Sequence, residues 1–156
     1  MTNVDVITYI ESHYPVATKA LKEAVVTTIR HVAPARADMI VNVSVIGDRK
    51  MKQLNKQYRD KDHTTNVLSF SYTQDYTPDE LKFKKIHLGE IVLSYPEIIK
   101  KAIEDDTLVE AAAQFLTVHG TLHLLGYDHE EAHEAYAMEK FEDEIMNILD
   151  PQEEAK

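Results

Sequence analysis

The fold is decided by one largely apolar stretch, residues 107–131, which reads TLVEAAAQFLTVHGTLHLLGYDHEE. No Asp, Glu, Lys or Arg occurs between Ala111 and Tyr127. The uncharged segment from Ala111 to Tyr127 is at the short limit of length for a membrane span, and it contains polar side chains such as Gln114. A helix that is apolar on nearly all sides belongs inside a core. We therefore predict a buried helix over residues 108–125.

Two histidines in this stretch are spaced to bind one ion. Four residues of helix turn through about 400°, so His119 and His123 lie on one face, one turn apart. Gly126 stands where a glycine commonly ends a helix. The chain can then reverse and bring His129 to the same ion from the first turn of the next helix. The spacing predicts a metal site formed by three imidazoles.

The donor set indicates the kind of metal site. The sequence has no Cys, which excludes every thiolate site. Three imidazoles without a fourth protein ligand are typical of catalytic zinc, whereas structural zinc is usually held by four ligands. The alternative is that His119 and His123 are hydrogen-bonded core residues, although burying two ionisable rings without a compensating role is costly. We predict one Zn²⁺ per chain, bound through nitrogen at about 2.0–2.1 Å. Other divalent metals such as Ni²⁺ are expected to fit.

Gly120 distinguishes this motif from that of a metalloprotease. The spacing equals the metzincin pattern H-E-x-x-H-x-x-G-x-x-H, with Gly120 in place of the glutamate. That glutamate is the general base of the protease, so its replacement argues against peptide hydrolysis by that route. A bound metal alone can still lower the pKa of its water to about 7.

Hydrophobic periodicity along the rest of the chain predicts an α+β fold, with a small mixed sheet covered by helices. The predicted strands are Asn3–Ile10, Met39–Ile46, Val67–Ser71 and Ile86–Leu93. The predicted helices lie at about 16–32, after Asp48, from Ser94 to about Glu104, at 108–125 and from Asp128 onward. No repeat or linker divides the chain, so we expect residues 1–156 to form a single domain.

Local signals set the expected helix ends and one loop. Pro15 suits a first helical turn, and Asp48 is a candidate N-cap. Capping-box patterns begin at three further residues, Ser94, Thr107 and Asp128. Residues 74–85 mix acids and bases and are the expected mobile loop. The residues of the last helix that are expected to face inward are Ala135, Met138, Phe141, Ile145 and Leu149.

The net charge of −10 is unevenly distributed. Most of the excess acid lies from Asp128 to Lys156, whereas the short helix after Asp48 has a basic face opposite Met51, Leu54 and Tyr58. Such a face can meet phosphates, and the alternative is an ordinary solvated surface. The lack of Cys and of a secretory signal favours a cytoplasmic protein without a membrane partner.

Four motifs resemble those of the YbeY family of bacterial rRNA-maturation endoribonucleases. The histidine motif matches the family signature H-G-x-L-H-L-x-G-Y-D-H in full. Leu54–Arg59 is similar to the family's L-N-x-x-Y-R, Thr65–Phe70 to T-D-V-L-S-F, and Leu88–Ile91 to L-G-D-I. Asn66 and Glu90 occupy positions that are usually Asp in the family. Glu90 keeps the charge, whereas Asn66 loses it and can still hydrogen-bond.

The resemblance implies a four-stranded mixed sheet with helices and a metal cleft. It also implies single-strand-specific, metal-dependent RNA cleavage in rRNA processing, including 3′-end maturation of small-subunit rRNA, and a part in ribosome quality control. The implied partners are single-stranded rRNA and the small ribosomal subunit with its assembly factors. The implied zinc ligands are His119, His123 and His129, and the implied catalytic residues are Arg59, His119 and His123.

Residues around the motif have two interpretations each. The Arg59 guanidinium suits the charge that develops on a phosphoryl group, and its alternative is a surface salt bridge with Asp60 or Asp62. Asp128 is a candidate to accept a hydrogen bond from a ligand imidazole, and equally a candidate N-cap. The candidate RNA-binding residues are Lys52, Lys56 and Arg59.

Three functions therefore remain open at this point. The first is a zinc-dependent endoribonuclease, and the second is a metzincin-like metallohydrolase, against which Gly120 argues. The third is a ribosome assembly factor whose zinc is structural and which binds RNA without cutting it. The fourth zinc position discriminates between them, since water or substrate there favours catalysis and a protein ligand favours structure.

Overall fold

Each of the four predicted strands forms within one residue of its predicted position. The computed structural model describes residues 3–33, 38–61, 65–72 and 85–151, so most of the expected mobile loop lies outside the described residues. The strands are β1 (Val4–Ile10), β2 (Met39–Ile46), β3 (Val67–Ser71) and β4 (Ile86–Ser94). The helices among the described residues are α1 (Thr18–Val32), α2 (Asp48–Arg59), α3 (Tyr95–Asp105), α4 (Val109–Leu124) and α5 (Ala132–Leu149).

The four strands form one mixed sheet in the order β1-β2-β4-β3. β1 and β4 run parallel to β2, and β3 runs antiparallel to β4. A parallel pair needs a crossover connection, and α1 provides it between β1 and β2. β1 and β3 are therefore the two edges of the sheet. This arrangement confirms the predicted α+β fold.

The predicted buried helix is α4, which lies at the centre of the core. Ala113, Val118 and Leu122 on α4 are fully buried, and the helix packs against β3, β4, α1, α3 and α5. Burying a valine or leucine side chain favours folding by about 1.5–3 kcal/mol. Within the described ranges, no helix is both long enough and apolar enough to cross a membrane. The sheet contributes a fully buried row to the same core: Met39, Val41, Val43 and Val45.

Several helix starts differ from their predicted positions. Asp48 is the first residue of α2 and not its N-cap, since Gly47 occupies the cap position. The Asp48 carboxylate accepts a hydrogen bond from the Ser94 hydroxyl at 2.7 Å. Thr107 does not cap α4, since the extended residue after it occupies the cap position. Pro15 precedes α1 by three residues, and the residue before this proline is extended, as is usual. Ser94 is confirmed as an N-cap, because its hydroxyl accepts the Glu97 N–H at 3.4 Å. Its own backbone N–H donates to the Asn66 carbonyl at 3.1 Å, so the second bond of a capping box is not formed.

Gly120 allows the backbone of α4 to pack directly against side chains of the sheet. A Cβ at this position would lie 2.9 Å from Cγ2 of Ile91 and 3.1 Å from Oγ of Ser69. The Ser69 hydroxyl also donates a hydrogen bond to the Gly120 carbonyl at 3.3 Å. A side chain at this position, where the metzincin pattern has its glutamate, would therefore collide with residues of β3 and β4.

We expect Gly120→Ala to destabilise the protein by about 1–2 kcal/mol, because the added methyl overpacks a closed contact. At an open helical position the same change would stabilise by up to about 1 kcal/mol, since alanine is the better helix former. Denaturant titration measures the free energy of unfolding. In an Ile91→Ala background the cost should shrink, because the nearest atoms are gone. A gain in stability, or an equal cost in both backgrounds, would contradict this account of Gly120.

Candidate metal centre

The C-terminal half of α4 places two imidazoles side by side, as the spacing predicts. The ring centroids of His119 and His123 are 4.6 Å apart, and their Nε2 atoms are 3.1 Å apart. Both side chains are half-buried. The helix thus directs the Nε2 atoms of both imidazoles towards one point.

Gly126 ends α4 and reverses the chain, as predicted. Its φ of 98° lies in the region that favours glycine. Its N–H donates to the His123 carbonyl at 3.0 Å, and the Tyr127 N–H donates to the Leu122 carbonyl at 3.0 Å. These two bonds form a Schellman motif, which satisfies carbonyl groups that the helix end leaves open. Tyr127 and Leu122 belong to one apolar cluster with Met138 of α5, so the turn is also anchored in the core.

His129 joins the two helical imidazoles from the loop that follows this turn. Its ring centroid lies 5.6 Å from that of His119 and 5.2 Å from that of His123. One nitrogen from each of the three rings falls within 4.8 Å of the others. The predicted position in the first turn of the next helix is wrong, because α5 begins only at Ala132. The residues between Gly126 and Ala132 form a loop that brings the chain back over the end of α4.

Asp128 positions the backbone of this loop. Its Oδ1 accepts a hydrogen bond from the His129 N–H at 2.7 Å. The predicted N-cap role is wrong, since the N-cap of α5 is Glu131. One oxygen of the Asp128 carboxylate is thus directed at the backbone of His129. The same carboxylate lies close enough to His123 to favour the charged form of that imidazole.

The three imidazoles fit a divalent metal ion. Zinc–nitrogen distances of about 2.0–2.1 Å place two tetrahedral ligands about 3.3 Å apart, close to the 3.1 Å between the Nε2 atoms of His119 and His123. Burial lowers the pKa of His123, and the neighbouring rings of His119 and His129 lower it further. Asp128 and a backbone contact of Tyr127 partly oppose this shift. The neutral imidazole, which is the form that binds metals, is therefore favoured.

Glu142 on α5 is a site residue that the sequence analysis missed. Its side chain is only 8% exposed, and Oε2 lies 3.1 Å from Nδ1 of His119. A carboxylate there accepts the Nδ1 proton, which leaves the Nε2 lone pair of His119 directed at the other two rings. The available signal was its position, because Glu142 lies between Met138 and Ile145 on the inward face of the helix.

The three imidazoles line a cleft with a volume of about 510 Å³, which we call the histidine cleft. Its residues come from the end of α2, from β3 with the segment before it, from α4 and from the following loop. They are Arg59, Thr65, Asn66, Val67, Ser69, Ser71, His119, His123, Leu124, Asp128, His129 and Glu130. The structure thus brings Arg59 and Asn66 to the three histidines, although they are distant in sequence.

The other predicted RNA-binding residues lie outside the histidine cleft. Lys52 and Lys56 are exposed on α2 and do not line it. Among the described residues, Arg59 makes no ion pair with Asp60, and Asp62 lies outside them. The interpretation of Arg59 as half of a salt bridge with Asp60 is therefore wrong.

We expect Glu142→Leu to weaken Zn²⁺ binding by about 10- to 100-fold, because His119 loses the acceptor that fixes its ring. Glu142→Gln should weaken it less, since the amide oxygen can still accept the Nδ1 proton. Competition with a chelator measures the dissociation constant.

Glu144→Gln is the matched control. Glu144 lies on the same helix and contacts an imidazole, that of His31, at 2.7 Å, but His31 is not part of the cluster. Zinc affinity should be unchanged in this variant. Equal affinities for the parent and Glu142→Leu would show that Glu142 has no influence on the metal.

Comparison with known proteins reveals relatives over most of the chain. Residues 7–150 match the family described as Endoribonuclease YbeY. An Endoribonuclease YbeY of Acinetobacter baumannii (strain ATCC 17978) is 39% identical over 140 residues, which cover 86% of this chain and 86% of that protein. One of Xylella fastidiosa (strain 9a5c) is 42% identical over 120 residues, which cover 74% and 72%. The solution structure of TM1509 from Thermotoga maritima is similar with a TM-score of 0.61 at 25% identity, over 92% of this chain and 88% of that one. This chain therefore belongs to the YbeY family.

Proposed function

We propose that this protein is a metal-dependent endoribonuclease that cleaves single-stranded RNA. One observation carries the proposal: the three imidazoles and the Arg59 guanidinium line the same cleft. A phosphodiester that approaches an acidic protein needs a local positive site, and a cation with neutral ligands and an arginine provide two. The names of the relatives point to the same reaction class.

The proposed reaction is hydrolysis of a phosphodiester bond. A divalent ion at this site supplies a Lewis acid and lowers the pKa of a water molecule. His119, His123 and His129 hold that ion, with His119 oriented by Glu142. Arg59 binds the non-bridging phosphoryl oxygens through its two-pronged guanidinium and stabilises the charge that develops on them. Gly120 carries no side chain, so no general base acts from the metzincin position.

Zinc is the proposed metal, because a nitrogen-only set of three imidazoles suits it, and Ni²⁺ is an accepted substitute for such ligands. The proposed substrate is rRNA, with cleavage near the 3′ end of small-subunit rRNA and a part in ribosome quality control. The small subunit and its assembly factors are the proposed partners, in the cytoplasm. We also propose that residues 1–156 act as one domain, which agrees with the extent of the family match.

Two variants of Arg59 test this function. We expect Arg59→Glu to lower the rate of cleavage of single-stranded rRNA fragments by about 100-fold or more, because the charge on the phosphate is then repelled. Arg59→Lys should also lower the rate clearly, since it keeps the charge and loses the bidentate contact. Elemental analysis should give the same metal content for both variants as for the parent. Chelation should stop any cleavage by the parent and by the variants.

Arg30→Lys is the control for the conservative change, since Arg30 is exposed on α1 and does not line the histidine cleft. It should cleave like the parent. If the metal-loaded parent binds RNA without cutting it, the assembly-factor alternative with structural zinc replaces the proposal. If all Arg59 variants cut like the parent, Arg59 has no part in the reaction.

A further inference from the structure

Tyr58 is exposed where the sequence predicts a buried side chain. The apolar face of α2 is expected to contain Met51, Leu54 and Tyr58, and Met51 is indeed fully buried. Tyr58, however, is 58% exposed. Its ring meets that of Phe70 edge to face, with centroids 5.1 Å apart and planes at 65°. The ring is therefore held in place on one side and open to solvent on the other.

This ring stands next to the histidine cleft. Tyr58 directly precedes Arg59, which lines the cleft. Its neighbour Phe70 lies between Ser69 and Ser71 on β3, and both serines line the cleft. β3 is an edge strand, and successive side chains of a strand point to opposite faces of the sheet. Phe70 therefore points away from the cleft that Ser69 and Ser71 line, and Tyr58, which packs on Phe70, lies on the other side of this sheet edge. A strand of nucleic acid that leaves the cleft past Arg59 would reach Tyr58 next.

The positive charge next to Tyr58 suits a polyanion. Arg59 follows it directly on α2 and is exposed, whereas Lys56 lies on the opposite side of the helix. Proteins that bind single-stranded nucleic acids combine a basic groove along the backbone with aromatic rings on which bases stack. Arg59 supplies a basic side chain and Tyr58 an aromatic ring, at adjacent positions.

We propose that Tyr58 forms a base-stacking subsite for single-stranded RNA. One unpaired base of the strand stacks on the open face of its ring, while Arg59 holds the neighbouring phosphate. This inference rests on the proposed function and extends it, because it names a contact to a base in a site that otherwise recognises phosphate. Stacking selects unpaired over paired RNA, since the bases of a duplex are already stacked on one another.

The chain has no Trp, so a single introduced tryptophan reports on its own position. We expect the fluorescence of Tyr58→Trp to be quenched on titration with a short 2′-O-methyl oligoadenylate. An abasic strand of the same length should bind through its phosphates and leave the fluorescence largely unchanged. Tyr9→Trp is the matched control: Tyr9 is 54% exposed on β1, the opposite edge of the sheet, and should not be quenched.

Affinity provides a second and independent readout. Tyr58→Ala should weaken binding of the oligoadenylate by about tenfold, and Tyr58→Phe should bind like the parent, because stacking needs the ring and not the hydroxyl. Fluorescence anisotropy of a labelled strand measures both dissociation constants. Tyr58→Phe also keeps the contact with Phe70, which controls for folding.

The possible failures are distinguishable. If the oligoadenylate and the abasic strand quench the Tyr58→Trp variant equally, or if Tyr58→Ala binds like the parent, the stacking subsite is refuted while cleavage by the parent is unaffected. If the parent does not cut RNA yet the Tyr58→Trp variant is quenched only by strands with bases, the nuclease proposal fails and the binding subsite stands. If the parent binds no single-stranded RNA, both are refuted.

Discussion

The structure depends on one constraint: α4 must serve as the central core helix and carry two ionisable rings. The two requirements are met at different parts of the helix. Ala113, Val118 and Leu122 are buried against the sheet and the other helices, while His119 and His123 face the opening beside β3. Gly120 lies between the histidines and brings the backbone onto Ile91 and Ser69. Close packing on one side thus leaves room for the imidazoles on the other.

The remaining parts of the site follow from how α4 ends. The Schellman turn at Gly126 reverses the chain within a few residues, and the loop carries His129 back to the helix. α5 then packs along α4 and inserts Glu142 behind His119. A buried carboxylate is costly unless it is hydrogen-bonded, so its retention in the core is explained by the imidazole that it contacts. Binding of a cation would compensate this cost further, because it places positive charge on the far side of that ring.

Sequence reasoning succeeded where a signal is local and periodic. The alternation of β2, the apolar composition of α4, the four-residue spacing of His119 and His123 and the glycine stop at Gly126 each depend on neighbouring residues alone. The capping side chains of Asp48 and Asp128 were misassigned because each found a different partner, the Ser94 hydroxyl and the His129 N–H. Sequence cannot rank such competing hydrogen bonds, since the winner depends on which groups the fold brings near.

Two site residues illustrate the same limit at longer range. Glu142 contacts His119 from 23 positions away, and only its place on the inward face of α5 hinted at a role. Tyr58 has the spacing of a core residue, but α2 buries Met51 and Asn55, and its last turn leaves Tyr58 exposed with an edge-to-face contact to Phe70. Arg59 reached the cleft as the family resemblance implies, and its alternative partner Asp60 did not pair with it.

The central claim is that three imidazoles hold one metal ion and leave a coordination position open. X-ray absorption spectroscopy at the zinc edge of the metal-loaded protein tests it directly, because it counts the ligands and gives their distances. The account predicts three imidazole nitrogens at about 2.0–2.1 Å and one oxygen that does not come from the protein. A spectrum with fewer than three imidazoles, or with a fourth ligand from the protein, would contradict it.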